Sequence, residues 1–490
     1  MLANRRAKII ATIGPATQSK EALEKAIRAG MNVARLNFSH GTHEDHLKVI
    51  GWVRSLSEEL KAPVSILQDL QGPKIRVGKF KNGFINLVQG QEVTITMKNV
   101  MGDDNLIPSD FPELAGSVKP DTKILLDDGL LELKVISVSG DDVKAKVIYG
   151  GKLKDRKGMN VPGVTLAVEC LTEKDLKDLE FGLANKVDYI ALSFVRFGKD
   201  IRKLRDLIDK KCPEIKICAK IEMQEAIDNL EEITRLSDVI MVARGDLAVE
   251  VGQSRLPGIQ KQIIRLCNQL NKPVITATQM LDSMVENPRP TRAEITDVAN
   301  AILDGSDALM LSAESASGKY PFDCIRTMHE IITEVETNQE KYYKINLESE
   351  FLSVAGAIAG SASLSALKLD AKVIVCLTTT GKTAIMISGF RPKARIIAVT
   401  DVFDTLNRLE LVWGLQTLSI KSYKTLEDVV IQVERQLIEF GLAKTGDKVV
   451  MTYGQPITDG TKTNTVYVFT LGGSHQLKND LNMPLRCRKN

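Results

Sequence analysis

Cations, carboxylates and hydroxyls gather at recurring places in this sequence: Arg35-Leu36-Asn37-Phe38-Ser39-His40, Gln68-Asp69-Leu70-Gln71-Gly72-Pro73-Lys74, Lys220-Ile221-Glu222, Ala243-Arg244-Gly245-Asp246, Thr276-Ala277-Thr278-Gln279 and Ser312-Ala313-Glu314. Glu222 and Asp246 are hard oxygen donors, suited to a Mg²⁺ or Mn²⁺ ion that keeps part of its water shell and draws further ligands from a phosphate. Lys220 beside them is a compact point charge for phosphoryl oxygens, and Arg35 adds a second cation. Two cations, a divalent site and the hydroxyl of Thr278 suit phosphoryl transfer, where catalysis is positioning plus neutralisation of charge. The plain alternatives are a structural Lys220–Glu222 ion pair and strand ends that are merely wet. They account for one or two such clusters, not six.

Each cluster closes a short apolar run. Eight such runs alternate with amphipathic stretches: 8–13, 33–38, 65–70, 189–194, 216–221, 239–242, 274–277 and 308–311. Eight βα units predict a closed (β/α)8 TIM barrel, whose active site forms at the carboxyl ends of its strands. Residues two apart on a strand share a face, so Arg35, Asn37 and Ser39 point together, as do Lys220 and Glu222.

More than a hundred residues separate the third run from the fourth. Their short strands and their Asp128-Gly129 and Gly140-Asp141 turns predict an inserted small β-barrel domain. After residue 345 the alternation resumes at 372–376, 395–399, 448–451 and 466–469, which predicts a C-terminal open-sheet α/β domain. The expected division is 1–71 with 165–345 for the catalytic barrel, 72–164 for the insert and 346–490 for a regulatory domain.

Composition excludes several classes. Charge is nearly balanced, with 65 Lys and Arg against 62 Asp and Glu, so no large field draws in nucleic acid or an anionic membrane. The least charged stretch, 351–367, is rich in Ser, Ala and Gly and reads as a packed helix rather than a bilayer span. The basic N-terminus leads into a strand and lacks the features of a secretion signal. Seven scattered cysteines without ligand spacing indicate reduced thiols in a cytoplasmic protein. His40, His43 and His46 lack the spacing of a helical zinc motif, and Thr42 followed by Glu44 and Asp45 is better read as a helix start.

Lys220-Ile221-Glu222, Ala243-Arg244-Gly245-Asp246-Leu247, Ala277-Thr278-Gln279-Met280-Leu281 with Pro290-Thr291-Arg292-Ala293-Glu294, and Arg35-Leu36-Asn37-Phe38-Ser39-His40-Gly41 together resemble the pyruvate kinase family. The resemblance covers nearly the whole chain. It implies transfer of phosphate from phosphoenolpyruvate to ADP, giving pyruvate and ATP, the last step of glycolysis. By position it implies a divalent metal on Glu222 and Asp246 and stabilisation of the phosphoryl group and enolate by Lys220. Arg35, Gly245, Asp246 and Thr278 would contact phosphoenolpyruvate. A water relayed by Thr278 and Ser312 is the expected proton source. For nucleotide it points to Asn37, Phe38, Ser39 and His40, with Arg76 and Lys157 on an insert acting as a lid. A homotetramer is usual for the family.

Two features qualify the resemblance. Many members hold K⁺ through Asn, Ser, Asp and Thr; here Asn37, Ser39 and Asp69 remain, but Leu70 removes a hydroxyl and Lys74 replaces a carboxylate. The expectation is activity without K⁺, the Lys74 ammonium standing in for the ion. In the C-terminal domain, Thr378-Thr379-Thr380-Gly381-Lys382-Thr383 follows a strand and opens a helix, a good phosphate cradle. The family places the phosphate of an allosteric effector there, expected here to be a sugar phosphate or AMP, with the loop 460–465 closing on it. The competing function is a metal-dependent aldolase or lyase on the same barrel, which has no need of a second phosphate-binding lid.

Overall fold

The computed structural model describes residues 5–164, 169–338, 353–457 and 461–472. Eight parallel strands close a barrel: β1 (Lys8–Ile13), β2 (Val33–Asn37), β3 (Ser65–Asp69), β4 (Tyr189–Leu192), β5 (Lys216–Ile221), β6 (Val239–Ala243), β7 (Val274–Ala277) and β8 (Ala308–Leu311). Closure comes from β1 pairing with β8, Lys8 opposite Ala308. The second, third and fourth strands stop short of the expected 38, 70 and 194. Phe194 has left-handed backbone (φ 55°), which no strand accommodates.

Alternation sorts the apolar residues. Ile10, Val33, Leu67, Met241, Ile275 and Met310 fill the barrel interior. Their neighbours Ile9, Ile66, Ile240 and Leu309 face outward against the helices. Thr42, Thr172 and Thr291 each cap a helix and exchange hydrogen bonds with an acid three residues on, so the helix start expected at Thr42 is found.

At the amino ends of the strands, aspartates fix register. Asp188, Asp238 and Asp307 each precede an even-numbered strand and accept the backbone N–H of the neighbouring odd one: Ile66 at 2.8 Å, Ile217 at 2.9 Å and Val274 at 2.9 Å. Each is also met by an arginine, Arg54, Arg205 and Arg391 respectively.

The insert is a six-stranded sheet with a two-stranded ribbon (Phe84–Leu87 with Gly151–Lys154) around its own apolar core. The pairing is antiparallel except where Glu92–Thr96 runs parallel to Leu106–Pro108. The C-terminal sheet has β9 (Val373–Leu377), β10 (Arg395–Thr400), β11 (Leu415–Ser419), β12 (Lys448–Tyr453) and β13 (Thr465–Thr470) in the order β11-β10-β9-β12-β13, the last antiparallel. Strand β11 was not among the expected runs, because Gln416 and Thr417 interrupt its apolar pattern. One face of this domain is continuous with the core around the barrel, and its Leu411 joins the barrel's inner cluster.

The apolar stretch near 351–367 contains the helix Val354–Leu369. Among the described residues no helix is long and apolar enough to cross a membrane. The six described cysteines are free. Cys487, Gly460 and the expected boundaries at 165 and 345–346 lie outside the described residues.

Candidate active site

At the carboxyl ends of β2, β3, β4 and β5 the charges interlock. The Arg35 guanidinium donates to Asp69 at 2.6 Å and to Thr12 Oγ1 at 2.8 Å. Lys220 Nζ lies 2.9 Å from Glu222 Oε1 and 3.3 Å from Asp69 Oδ1, and donates to Ser193 Oγ at 2.7 Å. The other Glu222 oxygen accepts the Phe194 N–H at 2.7 Å. Arg35 and Lys220, expected to share the mouth, therefore meet across Asp69, and the expected Lys220–Glu222 neighbours are in contact.

Burial sets the electrostatics. It pushes the Asp69 carboxyl up, but Lys220 and Arg35 overcome that and hold it below its ordinary value. It pulls the Lys220 ammonium down, and Asp69 and Glu222 more than reverse this, so Lys220 stays charged. Glu222 goes the other way: burial raises it, Lys220 opposes and the charge of Asp246 adds to the rise. Two carboxylates that repel each other at a mouth call for a cation between them. Among the described residues no group of three or more His, Cys, Asp or Glu is placed to hold a metal by itself. Two carboxylates fit an ion such as Mg²⁺, which takes its remaining ligands from water and phosphate.

Asp246 sits in the first turn of the helix Arg244–Val251 and is half-buried. Its Oδ1 lies 3.4 Å from Lys74 Nζ, the ammonium expected to stand in for the monovalent ion. Thr278 Oγ1 accepts the Gly245 N–H at 3.0 Å. The Ser312 N–H is given to Glu314 at 2.6 Å.

Thr278 and Gln279 have φ of 69° and 52°, left-handed backbone that non-glycine residues adopt at a cost. Arg244 holds them there: its guanidinium donates to the carbonyls of Ala277, Thr278 and Gln279 and pairs with Asp297 at 2.7 Å. The sequence places Arg244 in a motif without showing what it does, and does not single out Ser193. The signal for Ser193 was its position beyond β4, two residues from Ala191 on the face that Tyr189 shares.

The residues expected to bind nucleotide are engaged locally. Asn37 Oδ1 accepts the Ser39 N–H at 3.1 Å. Phe38 is buried and stacked on His46 with ring centroids 4.1 Å apart, which makes its side chain a packing group. His40 is exposed. On the insert, Arg76 donates to the Arg156 carbonyl at 3.2 Å and Lys157 pairs with Asp127 at 2.7 Å. Gly72 enters the insert with φ 69°, and a side chain there would strike Phe194 Cδ2 at 2.8 Å, so glycine is required next to the site.

In the C-terminal domain Thr378 Oγ1 accepts the Gly381 N–H at 2.9 Å, closing a tight loop at the start of the helix Lys382–Gly389. Thr379, Thr380 and Lys382 are exposed. Thr383 is buried and hydrogen-bonded to Thr463 at 2.7 Å, which ties the 461–465 segment beside this loop.

The sequence matches the profile of the pyruvate kinase barrel domain over residues 4–325 and that of the pyruvate kinase alpha/beta domain over 356–469. The chain belongs to the pyruvate kinase family. Pyruvate kinases of Staphylococcus aureus strains MRSA252 and USA300 are 44% identical to it over 473 residues, 96% of this chain and 81% of each relative. The crystal structure of a pyruvate kinase from Cryptosporidium parvum superimposes with a TM-score of 0.90 at 36% identity, covering 96% of this chain and 98% of the other. The pyruvate kinase barrel domain thus coincides with the mouth just described, and the alpha/beta domain with the loop at Thr378.

Proposed function

We infer that the barrel mouth transfers the phosphoryl group of phosphoenolpyruvate to ADP. The chain is a phosphotransferase giving pyruvate and ATP, the activity of its family. The observation that carries this reading is Lys220 held between Asp69 and Glu222 with Ser193 fixing its third proton.

In this reading Lys220 points a permanent positive charge at the transferring phosphoryl group and then at the enolate oxygen. That charge is worth more there than in water, because the site is already oriented and largely dry. Arg35, braced by Asp69 and Thr12, binds phosphate as a second cation. Glu222 and Asp246 would hold the divalent metal, which supplies neutralisation of phosphate and enolate charge when bound. Gly245 and Thr278 would orient the substrate carboxylate and a proton-donating water, with Ser312 nearby on the loop after β8. Asn37, Phe38, Ser39 and His40 together with Arg76 and Lys157 would meet ADP once the insert closes and frees Lys157 from Asp127. The loop 378–383 would take the phosphate of an activator, a sugar phosphate or AMP, in a cytoplasmic homotetramer.

The activity is further proposed to need no K⁺. Asp69 is already neutralised by Arg35 and Lys220, Asn37 Oδ1 is spent on Ser39, and Lys74 contributes a fixed cation beside Asp246. The test is the initial rate of ADP-dependent pyruvate formation in K⁺-free buffer at fixed ionic strength, which removes the effect of screening. The expected rate is unchanged by added K⁺; strong activation by K⁺ overturns that part, and no ADP-dependent pyruvate at all overturns the whole reading.

A further inference from the structure

Two consecutive residues grip one residue of the neighbouring strand end. Arg244 and Gly245 follow β6 and open the helix Arg244–Val251, in the turn that also carries Asp246. The Gly245 N–H is given to Thr278 Oγ1 at 3.0 Å. Arg244 is buried and spends its guanidinium on the backbone of the same segment. Its Nε lies 3.2 Å from the Ala277 and Thr278 carbonyl oxygens, and its Nη2 lies 2.5 Å from that of Thr278 and 3.2 Å from that of Gln279. Asp297 accepts from Nη1 at 2.7 Å, which fixes the plane of the fork.

The clamp meets a specific difficulty. Thr278 and Gln279 are both left-handed, at φ 69° and 52°, and a β-branched residue adopts that conformation only under constraint. Three consecutive carbonyls converge on one guanidinium there. A planar fork with five donors meets them together, whereas a lysine ammonium is a compact point charge that cannot span them. The Gly245 N–H meanwhile takes a lone pair of the Thr278 hydroxyl, so the O–H proton is aimed away from Gly245.

We propose that Arg244 is a positioning residue for enolate protonation, acting through Thr278 rather than on the substrate. It holds Thr278 in the backbone conformation that keeps the hydroxyl on Gly245 and its proton directed at the proton-donating water. The proposal rests on the reading of Thr278 as part of the protonating group. Loss of the fork leaves the cations and carboxylates that bind substrate in place, and slows the step that needs an aligned hydroxyl. A misplacement of about 1 Å is enough to cost about 10²-fold in rate.

The experiment compares Arg244→Lys, Thr278→Val and the double variant of the full-length chain. It measures kcat, KM for phosphoenolpyruvate and, in D₂O with Mg²⁺ and ATP, the exchange of pyruvate methyl protons for deuterons. That exchange runs protonation in reverse: a methyl proton leaves to solvent and a deuteron returns to the same carbon. Arg244→Lys is expected to lower kcat and exchange together by about 10²-fold, with KM within about twofold of the parent. In the Thr278→Val background the same change is expected to cost less than about threefold, because the hydroxyl it positions is already gone. Adding Gln279→Gly to Arg244→Lys is expected to recover part of the loss, since glycine adopts φ 52° freely. Circular dichroism melts check the fold, and if Arg244→Lys melts below the assay temperature the comparison is made in the Gln279→Gly background. Exchange unaffected by Thr278→Val overturns the reading of Thr278. Exchange lowered by Thr278→Val but not by Arg244→Lys overturns the role of Arg244, as do full additivity of the two changes, no recovery with Gln279→Gly, or failure of Arg244→Lys to fold even in that background.

Discussion

The two ends of the barrel use the same residue types for opposite purposes. At the base Asp188, Asp238 and Asp307 are each met by an arginine and by one or two backbone N–H groups, so each of these carboxylates is locally compensated. At the mouth Asp69 and Glu222 flank Lys220, Asp246 raises Glu222, and Glu250 is pushed up to about 7 by burial and by Glu225 and Asp246. Backbone strain divides the same way. Lys61, Lys186 and Asn271 are left-handed just past helix ends, where that conformation closes the helix. Phe194, Thr278 and Gln279 are left-handed beside the charge cluster, away from any helix end, and Arg244 holds the last two by their carbonyls. Carboxylates that are singly compensated serve the fold, whereas those at the mouth share their cations and raise one another.

Three experiments press on this contrast. Replacing Asp188 by Ala strands Arg54 and the Ile66 N–H, and is expected to cost about 3–5 kcal/mol of stability in urea unfolding while kcat stays unchanged. A large fall in kcat without a loss of stability would erase the distinction. Lys220→Met should lower kcat about 10²–10³-fold, the loss typical of one preorganised charge contact, with the native circular dichroism spectrum retained. Comparable turnover by this variant would remove the mouth from the chemistry.

The smallest effect belongs to Glu250. Its folded value of about 7 stands above the ordinary 4.5, so the folded state binds the proton more tightly than the unfolded chain does. Stability therefore declines as pH rises from 4.5 to 7 and the cost is complete above 7. Glu250→Gln is expected to raise the melting temperature at alkaline pH, by an amount equivalent to about 1–3 kcal/mol, and to leave it unchanged under acid. An equal gain at both pH values would mean that the mouth holds no such uncompensated charge.

Much of this is legible in the sequence alone. Period-2 apolar runs and polar strand ends carry their meaning locally, so the barrel, the insert and the candidate residues Arg35, Lys220, Glu222 and Asp246 are read directly, while Asp69 between Arg35 and Lys220 is not. Strand β11 could not, because its burial comes from neighbours distant in the chain rather than from its own pattern. Nor could the work of Arg244: a guanidinium that holds three carbonyls on another loop leaves no trace in spacing.

The sequence by itself determined which residues could carry charge, metal and phosphate, and in what order along the strands, because those depend on residue type and on alternation. Only the tertiary structure decided their partners. It set Lys74 on Asp246, brought Arg35 and Lys220 together on Asp69, and left Lys157 on Asp127. Pairing falls off within a few ångströms, and which groups come that close is fixed by how separate segments pack, not by their place in the chain.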